Sequence, residues 1–313
     1  MKFKFLIFII PSLALLFSAF SGAGVIYHTS LGANNNQLWK YDTGLNNWSR
    51  LNDYKTGSNF AVDQIGNMYA YNGSRSGIDK YDSLTDTWNT LFSAPILGGS
   101  FASSSYNFFN LEITNSGRFL LTGNNTSNLF YSDGGAWAST ALGFNAGAVG
   151  DYDPNSDTYA INAYGGKNPI IIDTNTFVQT SFTPAGNGSE WRRSGTIVNG
   201  KYYDQSGGSA VQEWDLSQPL NAPSILTNTP VNLRYMASTA DRVSGTLYAA
   251  DIWSSDFYKY DGTDWTALSG DPGGNHTSIA FVGDSVDVPE PSTLAIFALG
   301  MIGLASRRFK KQS

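Results

Sequence analysis

Short apolar and aromatic runs, separated by clusters of Gly, Asn, Asp, Ser and Thr, recur along the chain from about residue 24 to residue 287. One set of runs reads as four consecutive strands: NFAVD from Asn59, NMYAYNG from Asn67, GIDKYD from Gly77 and TWNTL from Thr87. Gly66, the Asn72-Gly73 pair and the Ser83–Asp86 segment (SLTD) between them supply hairpin chemistry. Within the runs large side chains alternate with small or polar ones, as in Met68-Tyr69-Ala70-Tyr71, which suits sheets packed face to face. The pattern predicts an all-β core.

A longer phrase overlies this alternation. LWKYDTGLNNWSRL begins at Leu38 and GIDKYDSLTDTWNTL at Gly77, so that Tyr41, Asp42 and Trp48 return 40 residues later as Tyr81, Asp82 and Trp88. Looser copies carry Asp133 with Trp137, Asp173 with Phe177, Asp215, and Tyr260-Asp261 with Trp265. The aspartates at 42, 82, 133, 173, 215 and 261 lie 40 to 51 residues apart. A period of that size, built from short strands and tight turns, signals a β-propeller. The stretch after Asp261 to Asp287 and the stretch from Gly24 to Asp42 together make one further interval of 45 residues. The expectation is therefore six blades, seven being the alternative if one more repeat is hidden. One blade would draw HTSIAFV (His276–Val282) from the C-terminal side and GVIYHTS, QLWKYD and WSRL from the N-terminal side. The two ends would thus close the ring.

The phrase resembles the kelch repeat: a glycine doublet after the second strand, then Tyr-Asp, then Trp after a turn. The doublets are Gly165-Gly166 and Gly207-Gly208, with Asn72-Gly73 as a degenerate form. The resemblance implies a kelch-like propeller over residues 24–287, with ligands bound on the face formed by the inter-blade loops.

Composition narrows the chemistry. Residues 24–287 hold 24 acidic and 13 basic side chains, a formal charge of −11, which disfavours a phosphate backbone as partner. The chain has no cysteine, so disulfides, thiol nucleophiles and thiolate metal sites are excluded. Asp151-Tyr-Asp-Pro-Asn-Ser-Asp157 alternates oxygen ligands like the start of a calcium loop. Ser156 stands where that loop needs Gly, however, and Asn162 where it needs a bidentate Glu, so a hairpin begun by Asp153-Pro154 is the better reading. The two histidines, His28 and His276, are expected on one blade, with no third ligand at metal-binding spacing. Asp133–Trp137 and Asp261–Trp265 are similar to the Asp-box of sialidase propellers but are one residue too short, so they read as turn and anchor. Neither a metal nor a cofactor is implied.

The candidate ligand rim is basic and aromatic. SEWRRSG (Ser189–Gly195) puts adjacent arginines just ahead of an expected innermost strand. Arg192, Arg193, Arg234 and His276 all fall near such strand starts, with Asn59 as a polar neighbour. Arginine forks suit carboxylate or sulfate groups and Trp191 could stack on a sugar ring.

The ends say where the chain goes. Met1–Ala23 has Lys2 and Lys4, an apolar stretch from Phe5 to about Phe20, and small residues at Ser21 and Ala23. It reads as a secretory signal peptide cleaved after Ala23. At the other end, Leu294–Ala305 is apolar, and as a helix with Thr293 and Ser306 it would reach only about 21 Å, short of the ~30 Å hydrocarbon core. Arg307, Arg308, Lys310 and Lys311 follow and would keep that end cytoplasmic. VPEPST, the short apolar segment and the basic end resemble the PEP-CTERM sorting signal over residues 288–313, with Pro289, Glu290, Pro291, Arg307 and Arg308 as its motif residues. The resemblance implies processing by an exosortase-type membrane enzyme and transient inner-membrane association. It also implies a surface or biofilm-matrix destination in a Gram-negative bacterium that makes exopolysaccharide. The leading functional expectation is a non-enzymatic surface propeller binding polysaccharide or a surface protein. The alternatives are a secreted glycan hydrolase or lyase, and a purely structural matrix protein.

Overall fold

The repeated aspartates act locally, as turn caps. A computed structural model of the chain describes residues 24–31, 37–53, 60–72, 76–97, 109–123, 126–144, 146–163, 169–182, 195–206, 210–230, 233, 236–251, 256–268 and 275–283. Asp42 Oδ1 accepts the amides of Gly44 (2.9 Å) and Leu45 (2.8 Å), and Asp173 Oδ1 those of Asn175 (3.0 Å) and Thr176 (2.7 Å). Asp261 Oδ1 accepts those of Thr263 and Asp264, both at 2.9 Å, while Asp82 and Asp215 cap the amides of Leu84 and Ser217. These bonds let a four-residue chain reversal form without leaving its donors unpaired. One copy departs from the expected spacing. Ser132 Oγ, not Asp133, caps the third turn, accepting Gly134 (3.2 Å) and Gly135 (3.1 Å), while Asp133 is exposed and pairs with Arg118 Nε at 2.8 Å. A hydroxyl can fill the same acceptor position, so the aspartate count runs one residue long there.

The tyrosine of the phrase closes the turn from the other side. Tyr81 donates to Asp86 Oδ1 at 2.9 Å and Tyr41 donates to Asn46. Asn46 and Asp86 both sit at φ +52°, a left-handed position that Asn and Asp tolerate best after Gly. The tryptophan then packs on the tyrosine: ring centroids are 4.8 Å apart for Tyr41 and Trp48, 5.2 Å for Tyr81 and Trp88, and 4.9 Å for Tyr260 and Trp265.

Among the described residues six antiparallel sheets of four strands result. Blade 1 is β24 (Asn275–Val282), β1 (Val25–Leu31), β2 (Gln37–Asp42) and β3 (Asn47–Asp53), from the inside out. Blade 2 is β4 (Ala61–Val62), β5 (Met68–Asn72), β6 (Gly77–Asp82) and β7 (Thr87–Ser93). Blade 3 is β8 (Phe109–Ile113), β9 (Phe119–Gly123), β10 (Asn128–Ser132) and β11 (Trp137–Ala141). Blade 4 is β12 (Ala146–Asp153), β13 (Thr158–Ala163), β14 (Pro169–Asp173) and β15 (Gln179–Ser181). Blade 5 is β16 (Gly195–Val198), β17 (Lys201–Ser206), β18 (Ala210–Asp215) and β19 (Ser224–Ile225). Blade 6 is β20 (Met236–Asp241), β21 (Thr246–Asp251), β22 (Phe257–Tyr260) and β23 (Trp265–Ala267).

Burial follows position in the blade. Second strands such as β5 and β9 are buried at every residue because neighbouring blades cover both faces, whereas outermost β15 is exposed throughout. Among the described residues six apolar clusters form, one at each blade junction. Tyr27, Leu38, Phe60 and Met68 belong to that between blades 1 and 2, and Ile26, Tyr41, Tyr248, Phe257 and Ile279 to that between blades 6 and 1. The innermost strands lie one against the next, β24, β4, β8, β12, β16, β20 and back to β24. The ring closes as expected. β24 pairs antiparallel with β1 from Val25 opposite Val282 to Leu31 opposite Asn275, with one bulge at Thr29/Ser30.

Strand direction gives the ring two ends. The hairpins between first and second strands and the turns between third and fourth strands share one end, called here the turn face. The innermost strands start at the opposite end, the loop face. Among the described residues there is no helix long and apolar enough to cross a membrane, and the sorting segment lies outside them.

Candidate functional site

The densest chemistry among the described residues sits where innermost strands meet. Asp151, on β12, is 8% exposed. Its Oδ2 accepts the Ile197 amide of β16 at 2.5 Å, tying blade 4 to blade 5. Arg242, in the hairpin after β20, reaches back from blade 6. Its Nη2 lies 2.7 and 2.9 Å from the two Asp151 oxygens and donates to Tyr152 O at 2.9 Å. Glu112, on β8 of blade 3, completes the group. It is partly accessible yet deeply enclosed, so burial pushes its carboxyl well above the ordinary range, and the Asp151 charge pushes the same way. Arg242 and the Asn110 side chain oppose those effects without cancelling them. Three blades thus supply one cluster of two carboxylates and one guanidinium, and a fourth is tied to it through the Ile197 amide.

That arrangement is a latch rather than an open dyad. Both Asp151 oxygens are committed, to the Ile197 amide, to Arg242 and to the Tyr152 amide at 3.1 Å. An acid–base pair for glycoside cleavage needs oxygens free to face a bond held between them. Similar inter-blade ties run around the ring: Thr196 and Ser238 hydroxyls are 2.7 Å apart, and the Phe281 amide donates to Thr239 Oγ1 at 2.9 Å. Asn115 Nδ2 of blade 3 donates to Pro154 O of blade 4 at 2.6 Å.

The expected site residues are placed as follows. Asn59, Trp191, Arg192, Arg193 and Arg234 lie outside the described residues, as do Ala23 and the sorting residues Pro289, Glu290, Pro291, Arg307 and Arg308. The glycine doublets of the kelch-like phrase do too. His276 is placed by its backbone, in β24 opposite Ser30, and its side chain is outside the description. His28 shares that blade, on β1, buried with its ring edge-on to Trp48 at 5.0 Å. Asp151–Asp157 forms the β12–β13 hairpin. Asp153 accepts the Asn155 amide at 3.1 Å and the Ser156 hydroxyl at 2.6 Å, and Asp157 accepts Asn175 Nδ2 at 2.6 Å. Among the described residues no group of three or more His, Asp or Glu is placed to hold a metal ion.

Glu112 and Arg242 escaped the reading of the sequence. One signal was present: Glu112 is the single charge in the otherwise buried strand FNLEI, and the chain has only four glutamates. Arg242 carried no signal, since its hairpin looks like any exposed turn.

Comparisons with known proteins bear on the two parts of the chain separately. Residues 287–311 match the family model described as the PEP-CTERM protein-sorting motif. The chain also resembles a chain from the crystal structure of a nidogen/laminin complex, with a TM-score of 0.63 and 11% identity over 83% of this chain and 98% of that one. At that identity the likeness is one of fold alone. Comparison with curated proteins returns no match.

Proposed function

We propose that this chain, an all-β six-bladed propeller carrying a C-terminal PEP-CTERM sorting motif, is an exported, non-enzymatic binding module of the cell surface or extracellular matrix. The motif supports export and a surface or extracellular destination, and it implies processing by an exosortase-type enzyme. The observation that carries the non-enzymatic reading is the state of the carboxylates where the innermost strands meet. Asp151 is spent on structure and Glu112 stands beside it without a free partner carboxylate, so the cluster holds blades together instead of attacking a substrate.

The ligand of this reading is a polysaccharide with acidic groups or a surface protein, held at the loop face. Gly195, Met236 and Asn275, the first residues of β16, β20 and β24, all lie at that face, which supports the grouping of Trp191, Arg192, Arg193, Arg234, His276 and Asn59 as one rim. Kelch-like propellers commonly bind there, and the Tyr-Asp and Trp packing of blades 1 and 2 supports the kelch-like reading. A glycan array with the purified chain tests the proposal. Acidic glycans should be retained, and R192A/R193A should lose them in a salt-sensitive manner with the fold intact. Release of reducing sugar from any retained glycan would instead favour the glycan-active alternative.

A further inference from the structure

The seam between blades 3 and 4 and the seam between blades 4 and 5 are built on one plan. Tyr159 stands opposite Tyr152, and its hydroxyl lies over Gly150, two residues nearer the loop face, where an added methyl would stand 2.6 Å from it. Tyr202 stands opposite Ile197, and its hydroxyl lies over Gly195, again two residues nearer the loop face, where a methyl would stand 1.8 Å away. At the first seam blade 3 meets the hydroxyl: Thr122 Oγ1 is 3.1 Å from it and Asn110 Nδ2 donates to it at 2.8 Å. The matching residue at the second seam is Asn162. Phe119 and Tyr159 each pack toward the preceding blade, and Thr122 and Asn162 each follow three residues later, on the other face of their strands.

Asn162 and the Tyr202 hydroxyl share a height on the facing sides of the second seam. The Ile197 amide bonds Asp151, which stands opposite Ala160, and Ala160 packs in one cluster with Ile197 and Tyr202. Asn162 and Gly195 each lie two residues beyond that level, toward the loop face. Where blade 3 sets Asn110 opposite Thr122, blade 4 shifts register through Gly147, Ala148 and Val149, residue types without a side-chain donor. Asn162 is 1% exposed, and neither its Oδ1 nor its Nδ2 has a hydrogen-bond partner among the described residues. A buried amide in that condition costs its full desolvation. We propose that Asn162 and the Tyr202 hydroxyl bind one water molecule between them, which does at this seam what Thr122 and Tyr159 do directly at the other. A water suits the groups present: the amide offers two donors and an acceptor, and the hydroxyl can play either role. Asp204, fully buried opposite Gly195, adds a carboxylate on the same face of β17 as Tyr202 and accepts Trp214 Nε1 at 3.1 Å. A metal ion suits the seam less, since among the described residues no group of three or more His, Asp or Glu is placed to hold one.

A high-resolution crystal structure of the chain should show a water peak at about 2.7–3.2 Å from both the Asn162 amide and the Tyr202 hydroxyl. Asn162 bonded directly to another protein group, or a dry seam, overturns the proposal. Urea unfolding gives an independent readout. N162L and Y202F should each raise the unfolding equilibrium constant about fivefold, the effect of losing one net hydrogen bond. Combined, they should raise it little beyond the larger single effect, because either change releases the same water. Additive losses would overturn the shared site, and they are what simple overpacking by the leucine would give. A variant N162L more stable than the wild type would overturn it as well, since that is the result of replacing an amide that bonds nothing by an apolar side chain. T122V combined with Y159F, at the directly bonded seam, is the positive control for the coupling.

Discussion

Replacing Glu112 by Gln should make the propeller more stable at neutral and alkaline pH, and the reason lies in the order of charges around Arg242. One guanidinium faces two carboxylates. Asp151 holds the bonds to Arg242 and to the Ile197 and Tyr152 amides, so Glu112 is the surplus anion in an enclosed place. Its folded-state pKa lies well above the ordinary Glu value of 4.5, through burial first and the Asp151 charge second. For a group raised in this direction, stability is fully present below the unfolded value and is lost as pH rises through the folded one. Each unit of separation is worth about 1.4 kcal/mol. Glutamine keeps the shape and the amide contact with Asn110 but cannot ionise.

Urea unfolding followed by tryptophan fluorescence from pH 4.5 to 8.5 gives the test. The wild type should lose at least about 1 kcal/mol across that range relative to E112Q, which keeps only the shallower slope of Asp151, whose carboxyl burial also pushes up against the opposing pull of Arg242. The exposed aspartates cannot mimic this. Turn amides and hydroxyls hold Asp82, Asp173, Asp215 and Asp261 below their usual values, and Arg118 does the same for Asp133. Their stabilisation therefore disappears as pH falls below about 4, in the opposite direction and outside the window. R242A supplies the contrast. It strands both carboxylates and should destabilise by about 2–4 kcal/mol, less than a fully buried pair because the Arg242 side chain is 36% exposed. Parallel pH profiles for wild type and E112Q, or an E112Q protein weaker than wild type at pH 8, would refute the reasoning.

Ring closure through β24 predicts that I279A, which empties a site shared with Ile26, Tyr41 and Phe257, costs about 2–5 kcal/mol by denaturant unfolding, whereas truncation at Asp287 leaves the circular dichroism melt unchanged. Gly195→Ala should cost about 1–3 kcal/mol by the same measurement, since the new methyl would stand 1.8 Å from the Tyr202 hydroxyl. Asp241→Ala, removing the cap on the Val243 and Ser244 amides, should cost about 1 kcal/mol and raise hydrogen exchange at those two amides first.

The fold was legible because this architecture writes its turns into the sequence. Tyr-Asp followed by Trp names a capped turn, a hydroxyl that closes it and a ring that packs on that tyrosine, and these needs recur in the best copies with the same residues. Blade number followed from spacing, and closure followed because 45 residues were left over in two pieces, each too short for four strands. The copies fade where other atoms can do the same work. Ser132 replaces an aspartate, and Phe177 packs 4.5 Å from Tyr131 of the neighbouring blade where Trp48 packs within its own. A phrase search weakens at such places although the structure does not.

The charged cluster was illegible for a physical reason. Glu112, Asp151 and Arg242 are separated by 39 and 91 residues, and what joins them is the convergence of innermost strands from different blades. A single sequence carries spacing within a blade but no information on which innermost residues of separate blades share a height along the axis. Closing the ring does two things with one strand pair. It buries Ile279 against blade 6, and it sets the first and last strands' ends, Val25 and Val282, side by side. A variant that weakens the β24–β1 pairing, such as I279A, should then lower global stability rather than open one blade locally, because this blade joins both ends of the ring; hydrogen exchange that rises in β24 alone would overturn that reasoning.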